Sequence, residues 1–113
     1  MRRLMLGQEK EDDNLFIAEN ATMDAYLKNS GDIGHATGVC VSDFMEFKEG
    51  ETYYIETKNR WRYTMYKEDK TFLKEVTCDG ILQTNLIAPT NAAYIRFCVY
   101  NDYIETTNYK KVS

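Results

Sequence analysis

Asn59-Arg60-Trp61-Arg62-Tyr63-Thr64-Met65-Tyr66 brings a Trp, two Tyr and two Arg onto one short segment. These side chains share a chemistry. An aromatic ring packs against the apolar C–H patch of a sugar, and a guanidinium offers donors in a fixed fork that suits hydroxyls or a carboxylate. On an extended chain successive side chains point to opposite faces, so Trp61, Tyr63 and Met65 share one side and Arg60, Arg62, Thr64 and Tyr66 the other. Tyr94-Ile95-Arg96-Phe97-Cys98-Val99-Tyr100 repeats the pattern, with Ile95, Phe97 and Val99 as a core stripe and Tyr94, Arg96, Cys98 and Tyr100 opposite. That opposite side is either a solvated outer surface or the face on which a ligand lies. Aromatic stripes on strands are more often packing than sites, and Arg96 paired with a carboxylate at the sandwich edge is as good a reading as Arg96 in a binding face.

The single histidine, His35, falls in Gly34-His35-Ala36-Thr37-Gly38, where the glycines predict a loop, and loops are where binding residues concentrate. A lone loop histidine is more often a plain surface residue than a catalyst, and no Ser or Cys nucleophile with an adjacent base is recognisable around it. Asp24, Asp32, Asp43, Glu46 and Glu51 supply carboxylates without marking a glycosidase pair, and Asp24, Asn29 and Asp32 do not follow the EF-hand order. Cys40, Cys78 and Cys98 are odd in number and lack Cys-x-x-Cys spacing, which fits free thiols of a reducing compartment; with one histidine they do not complete a zinc set. Neither catalytic residues nor a metal or cofactor is expected.

The elements that must position these residues read as strands. A chain of 113 residues has room for one domain around one core. Hydrophobic residues at 43% and charged residues at 28% are globular proportions, and nine Tyr with five Phe against a single Pro favour sheet. A net charge of -4 gives no general attraction to a phosphate backbone or an anionic membrane, so neither nucleic acid nor membrane is an expected partner. No apolar run reaches bilayer length and no signal peptide is recognisable. Residues 1–13, ending Glu9-Lys10-Glu11-Asp12-Asp13, predict a charged arm or linker, and residues 14–113 a single packed domain.

Within that domain, apolar runs are separated by Glu49-Gly50, Lys67-Glu68-Asp69-Lys70, Asp79-Gly80, Pro89-Thr90-Asn91 and Asn101-Asp102. They predict strands near 38–47, 52–58, 60–66, 71–78, 81–87, 93–100 and 103–110, with a short one at 15–17. Asp79-Gly80 between two such runs is the clearest hairpin signal in the chain. Residues 19–37 are the least legible: Met23, Ala25 and Tyr26 suit a helical turn, and Asn29-Ser30-Gly31-Asp32 with Gly34 a loop. Seven or eight short strands without helical crossovers predict an all-β fold, a two-sheet antiparallel β-sandwich or jelly roll.

Asn14-Leu15-Phe16, Val41-Ser42-Asp43-Phe44, Met65-Tyr66-Lys67-Glu68-Asp69-Lys70-Thr71-Phe72-Leu73 and Ala88-Pro89-Thr90-Asn91-Ala92-Ala93-Tyr94-Ile95-Arg96-Phe97 occur in that order over about residues 14 to 100. The series resembles the small jelly-roll modules, galactose-binding-like in architecture, of bacteriophage tail and baseplate proteins. Two departures stand out: Glu49 where the family has Pro before Gly50, and Lys67 where it has Asp after the Tyr. The resemblance implies a non-catalytic module that binds host cell-surface carbohydrate, or a structural module that packs against other virion subunits. It implies a virion location after synthesis in the host cytoplasm, and a weak single site would call for avidity from a trimer or many copies. Because Met65 stands at the family's apolar Phe position, the resemblance puts Trp61, Tyr63 and Met65 inward. That leaves Arg60, Arg62, Tyr66, Tyr94 and Arg96 as the ligand face, with His35 on a nearby loop. A slip of register at the strand's start would instead expose Trp61 as a stacking platform.

Overall fold

The computed structural model of the chain describes residues 14–113; the charged arm expected over residues 1–13 lies outside the described residues. The domain is an all-β antiparallel sandwich. Its strands are β1 (Thr22–Leu27), β2 (Ile33–Val41), β3 (Met45–Glu46), β4 (Thr52–Tyr66), β5 (Phe72–Thr77), β6 (Gly80–Ile87), β7 (Tyr94–Tyr100) and β8 (Asn108–Lys111), with short 3-10 helices at Ala18–Asn20 and Asn101–Thr106. Among the described residues, no helix is long and apolar enough to cross a membrane.

β4 organises the sandwich. Fifteen residues of straight strand would span about 50 Å, yet the longest dimension of the molecule is 35 Å, so β4 has to bend. Its first half, Thr52 to Asn59, lies between β6 and β8. Its second half, Arg62 to Tyr66, lies between β5 and β7, and β7 carries the sheet onward to β3, β2 and β1. The two layers are therefore halves of one hydrogen-bonded network joined through the bend. Between them Tyr53, Ile55 and Tyr109 face Tyr63, Met65, Ile95, Phe97 and Val99. The inward stripe of β7 follows the alternation expected of it.

Tyr109 ties this core to the start of the domain. Its ring stacks on Tyr53 with centroids 5.4 Å apart and planes 9° apart, and meets Phe97 edge-on at 5.3 Å. Its hydroxyl donates to the Glu46 carbonyl at 2.6 Å, and its backbone N–H donates to the Asn14 side chain at 3.0 Å. Burial holds this phenol far above its usual pKa, so it is a permanent donor.

The hairpin predicted at Asp79-Gly80 does not form. β5 and β6 both run antiparallel to β4 in one continuous register, from Arg62↔Thr77 to Asn59↔Gly80 and on to Thr52↔Ile87. The real turn is Lys67–Lys70, where Lys67 N–H donates to Thr71 C=O at 2.9 Å and Asp69 caps Thr71. A two-residue type I′ turn needs positive φ at both central residues; Gly80 has it (φ 117) and Asp79 does not. Gly80 serves instead to bend the ribbon opposite the bend in β4.

Other boundaries move for related reasons. Met23, Ala25 and Tyr26 lie in β1 and not in a helical turn, and β2 starts at Ile33, because a sheet neighbour supplies backbone bonds that no local pattern announced. Only Asn29–Asp32 is turn, closed by Lys28 N–H to Asp32 C=O at 2.8 Å, and Gly34 lies within β2. The strands predicted at 52–58 and 60–66 are one strand, and the predicted gap marks its bend. The strand predicted at 103–110 begins as a 3-10 helix and becomes sheet only at Asn108, while residues 15–17 form no strand.

Candidate functional site

At the bend the β4–β7 register shifts between Asn59 and Tyr63, so ladder bonds are interrupted. The fully buried Asn59 replaces them: its side-chain amide donates to Cys78 C=O at 2.6 Å, and its oxygen accepts from Cys98 N–H at 3.3 Å. Trp61 occupies the apex with φ 63. Left-handed backbone costs an L residue about 1–2 kcal/mol, and a bulky side chain there is a true outlier. Two bonds fix it: Trp61 N–H donates to Asp79 Oδ1 at 3.2 Å and Trp61 C=O accepts from Cys78 N–H at 2.7 Å.

The consequence is a reversal of side. Tyr63 and Met65 point inward as expected, but Trp61, assigned with them, turns outward and remains 44% exposed. The Arg60 guanidinium lies 4.3 Å from its ring centroid, and Tyr26 meets it edge-on at 5.6 Å. Tyr26 is itself held close to β2, where a methyl group at Gly34 would stand 2.4 Å from its ring. Beside this step Tyr100 donates to Asp79 Oδ1 at 3.0 Å, and Lys58 Nζ lies 5.0 Å from the Tyr100 ring and 5.3 Å from that of Tyr103. Aromatic faces, a guanidinium, an ammonium and a carboxylate thus share one accessible surface. Tyr26 and Tyr103, absent from the expected site, belong to it; for Tyr26 the signal was hidden in the illegible segment 19–37.

The remaining predicted residues do not join this surface. Arg62 is committed to structure, its Nε donating to Glu75 at 2.7 Å and its Nη1 to Leu27 C=O at 2.7 Å. Arg96 and Tyr66, expected on an open face, are only 8% and 2% exposed. Arg96 donates to Ser42 C=O at 3.0 Å and packs on Phe44, Phe44 packs edge-on against Tyr66, and the Tyr66 hydroxyl donates to Gly31 C=O at 2.8 Å. The turn before β2 closes over them, and Ala25 and Leu27 of β1 pack with Val39, Val41 and Cys98 as a second small core. Tyr94 is half-buried against Phe44 with Lys70 above its ring. His35, expected on a loop, is an exposed residue of β2 opposite Ala25.

A broad cleft of about 990 Å³ lies at one rim, lined among others by Glu46, Glu49, Lys67, Asp69, Asn91 and Tyr94. Its carboxylates are largely engaged: Glu46 accepts from Tyr53, Glu49 from Asn91 N–H and Asp69 from Thr71. These bonds shape the loops that line the cleft. Among the described residues, no group of three or more His, Cys, Asp or Glu could hold a metal ion. Burial lifts the Cys40 and Cys98 thiols to about 11, which makes them inert packing groups at neutral pH.

The bend carries its own acid dependence. The Trp61 N–H and then the Tyr100 hydroxyl hold the Asp79 carboxyl below its usual 3.8. A lowered folded value means the contribution is fully present above 3.8 and fades as pH falls through the lowered value. The midpoint of the acid change in emission of the single Trp is therefore expected below pH 3.8, and the change is expected to be absent in Asp79→Asn. A midpoint at or above 3.8 would mean the bond does not form in solution. No family model, curated protein or solved structure matches the chain.

Proposed function

We propose that the protein is a non-catalytic carbohydrate-binding module that engages a cell-surface glycan through the step formed by Tyr26, Arg60 and Trp61. The observation that carries this reading is the exposed indole at positive φ, fixed by Asp79 and Cys78. Strain of this kind persists only where the surroundings over-determine it, and it gathers at ligand-contacting positions. The ring offers a stacking surface already ordered before binding, and Arg60 and Lys58 supply donors for hydroxyls or an acidic sugar. Sequence resemblance to phage tail and baseplate modules supports a bacterial host glycan as the ligand class and a virion as the setting. In that setting many copies would raise a modest single-site affinity.

A glycan array of bacterial wall and capsular polysaccharides tests the reading. Wild type is expected to bind at least one, and Arg60→Ala to lose about tenfold or more, the scale of a central Arg contact. Absence of binding across the array by folded protein would overturn the reading, and concentration-dependent assembly altered by Trp61→Ala would favour the alternative, a structural module that packs against other virion subunits.

A further inference from the structure

We propose that β6 is the contact through which two copies of this chain pair, edge to edge, across a two-fold axis at Thr84. Among the described residues, β6 pairs with β4 alone, so its outer edge is open. The side that each residue presents follows from the ladder. Thr52, opposite Ile87, uses its N–H and C=O on the β8 side, while Ala88 N–H donates to Glu51 C=O on the β6 side. Because sides alternate along an antiparallel strand, the backbone groups of Leu82, Thr84 and Leu86 turn toward β4 and those of Ile81, Gln83, Asn85 and Ile87 turn outward.

Open edges invite pairing, and proteins blunt them with charge, proline or bulges. The other edges here are blunted: β1 breaks register at Asp24 (φ 55), β5 carries Lys74 and Glu75, β8 carries Lys110 and Lys111, and β3 is only two residues long. β6 has none of these devices. Gly80-Ile81-Leu82-Gln83-Thr84-Asn85-Leu86-Ile87 contains no charge and no proline, and Ile81 and Ile87 are 65% and 70% exposed.

The occupant follows from the strand's own order of side chains. Around Thr84 the sequence is chemically symmetric: Ile81 mirrors Ile87, Leu82 mirrors Leu86, and Gln83 mirrors Asn85. Antiparallel pairing of two copies about Thr84 sets isoleucine on isoleucine, leucine on leucine and amide on amide, as an isologous contact requires. It joins residues of equal parity, so all four outward-facing residues find partners and about eight backbone hydrogen bonds form. Leu82 and Leu86, half-covered in one copy, continue its core face into the next. The axis is perpendicular to the sheet and keeps like faces on one side, with the two bends at Gly80 roughly 27 Å apart along the strands. Leu15, near the start of the described residues, lies beside β8, on the far side of β4 from β6: its N–H donates to Tyr109 C=O.

Sedimentation of the full chain from low to high micromolar concentration is expected to show a monomer–dimer equilibrium. Ile81→Lys and Ile87→Lys change exposed side chains, and each is expected to raise the dimer dissociation constant about tenfold or more, because the two-fold repeats every loss. Thr84 would face its own copy as a close, non-hydrogen-bonded pair, within disulfide range. In a Cys78→Ser background, Thr84→Cys is expected to give a cross-linked dimer under mild oxidant, while Gln83→Cys and Asn85→Cys do not. A monomer at every concentration, a dimer indifferent to the two lysines, or an edge protected from hydrogen exchange in the monomer by residues 1–13 would each overturn the proposal.

Discussion

Replacing Tyr109 with Ala is expected to destabilise the domain by about 4 kcal/mol, the scale of deleting a fully buried aromatic ring. The residue is 0% exposed, stacks on Tyr53, crosses Phe97 and anchors Glu46 through its hydroxyl. It belongs to β8, the last strand, and its N–H engages Asn14, so one side chain joins both ends of the described chain to both layers. Small domains are stable by about 5–15 kcal/mol, which makes this loss a large fraction of the total. Urea unfolding measures it, with Tyr109→Phe as the partner experiment. The ring is then kept and only the Glu46 carbonyl loses its donor, for about 1–2 kcal/mol. A cost for Tyr109→Ala no larger than that of Tyr109→Phe would mean the two layers are not closed by this ring.

Trp61→Gly separates stability from binding. Glycine adopts φ 63 without the steric cost that any L side chain carries there. The contacts it forfeits, an edge-on Tyr26 and an overlying Arg60, are worth about 0.5–1.5 kcal/mol each at an accessible site. The two effects nearly offset, so stability is expected within about 1 kcal/mol of wild type. Trp61→Val keeps the strain and loses the ring, and is expected to be less stable than Trp61→Gly by about 1–2 kcal/mol. Glycan affinity is expected to fall about thirtyfold or more in both, as for a central aromatic anchor. Loss of folding in Trp61→Gly would show that the indole is there for packing.

The parity of β7 was legible because its whole length is regular strand: Ile95, Phe97 and Val99 are core as alternation demands. The same rule failed at Trp61, two residues before a correctly placed Tyr63, since one left-handed residue in an irregular stretch resets the faces. Asp-Gly between two strands most often makes a hairpin turn. Its glycine does take positive φ, but what decides between a turn and a bend is whether 71–78 and 81–87 pair with each other or with β4, and that information lies some twenty residues away. The burial of Arg96 and Tyr66 depends on Gly31 and the β1–β2 hairpin folding over them, in the stretch whose pattern said least. Alternation marked most of the strands after residue 38 and the principal core, whereas β1 and the site were set by sheet neighbours and irregularities that alternation does not encode.

Because the chain has one Trp, and it stands at the proposed contact, intrinsic fluorescence reads the site directly. Titrating wild-type protein with the glycan it binds best is expected to give a saturable change in Trp emission, with the same midpoint as binding measured by calorimetry. Calorimetric binding that leaves the emission of Trp61 unchanged to saturation would contradict the account.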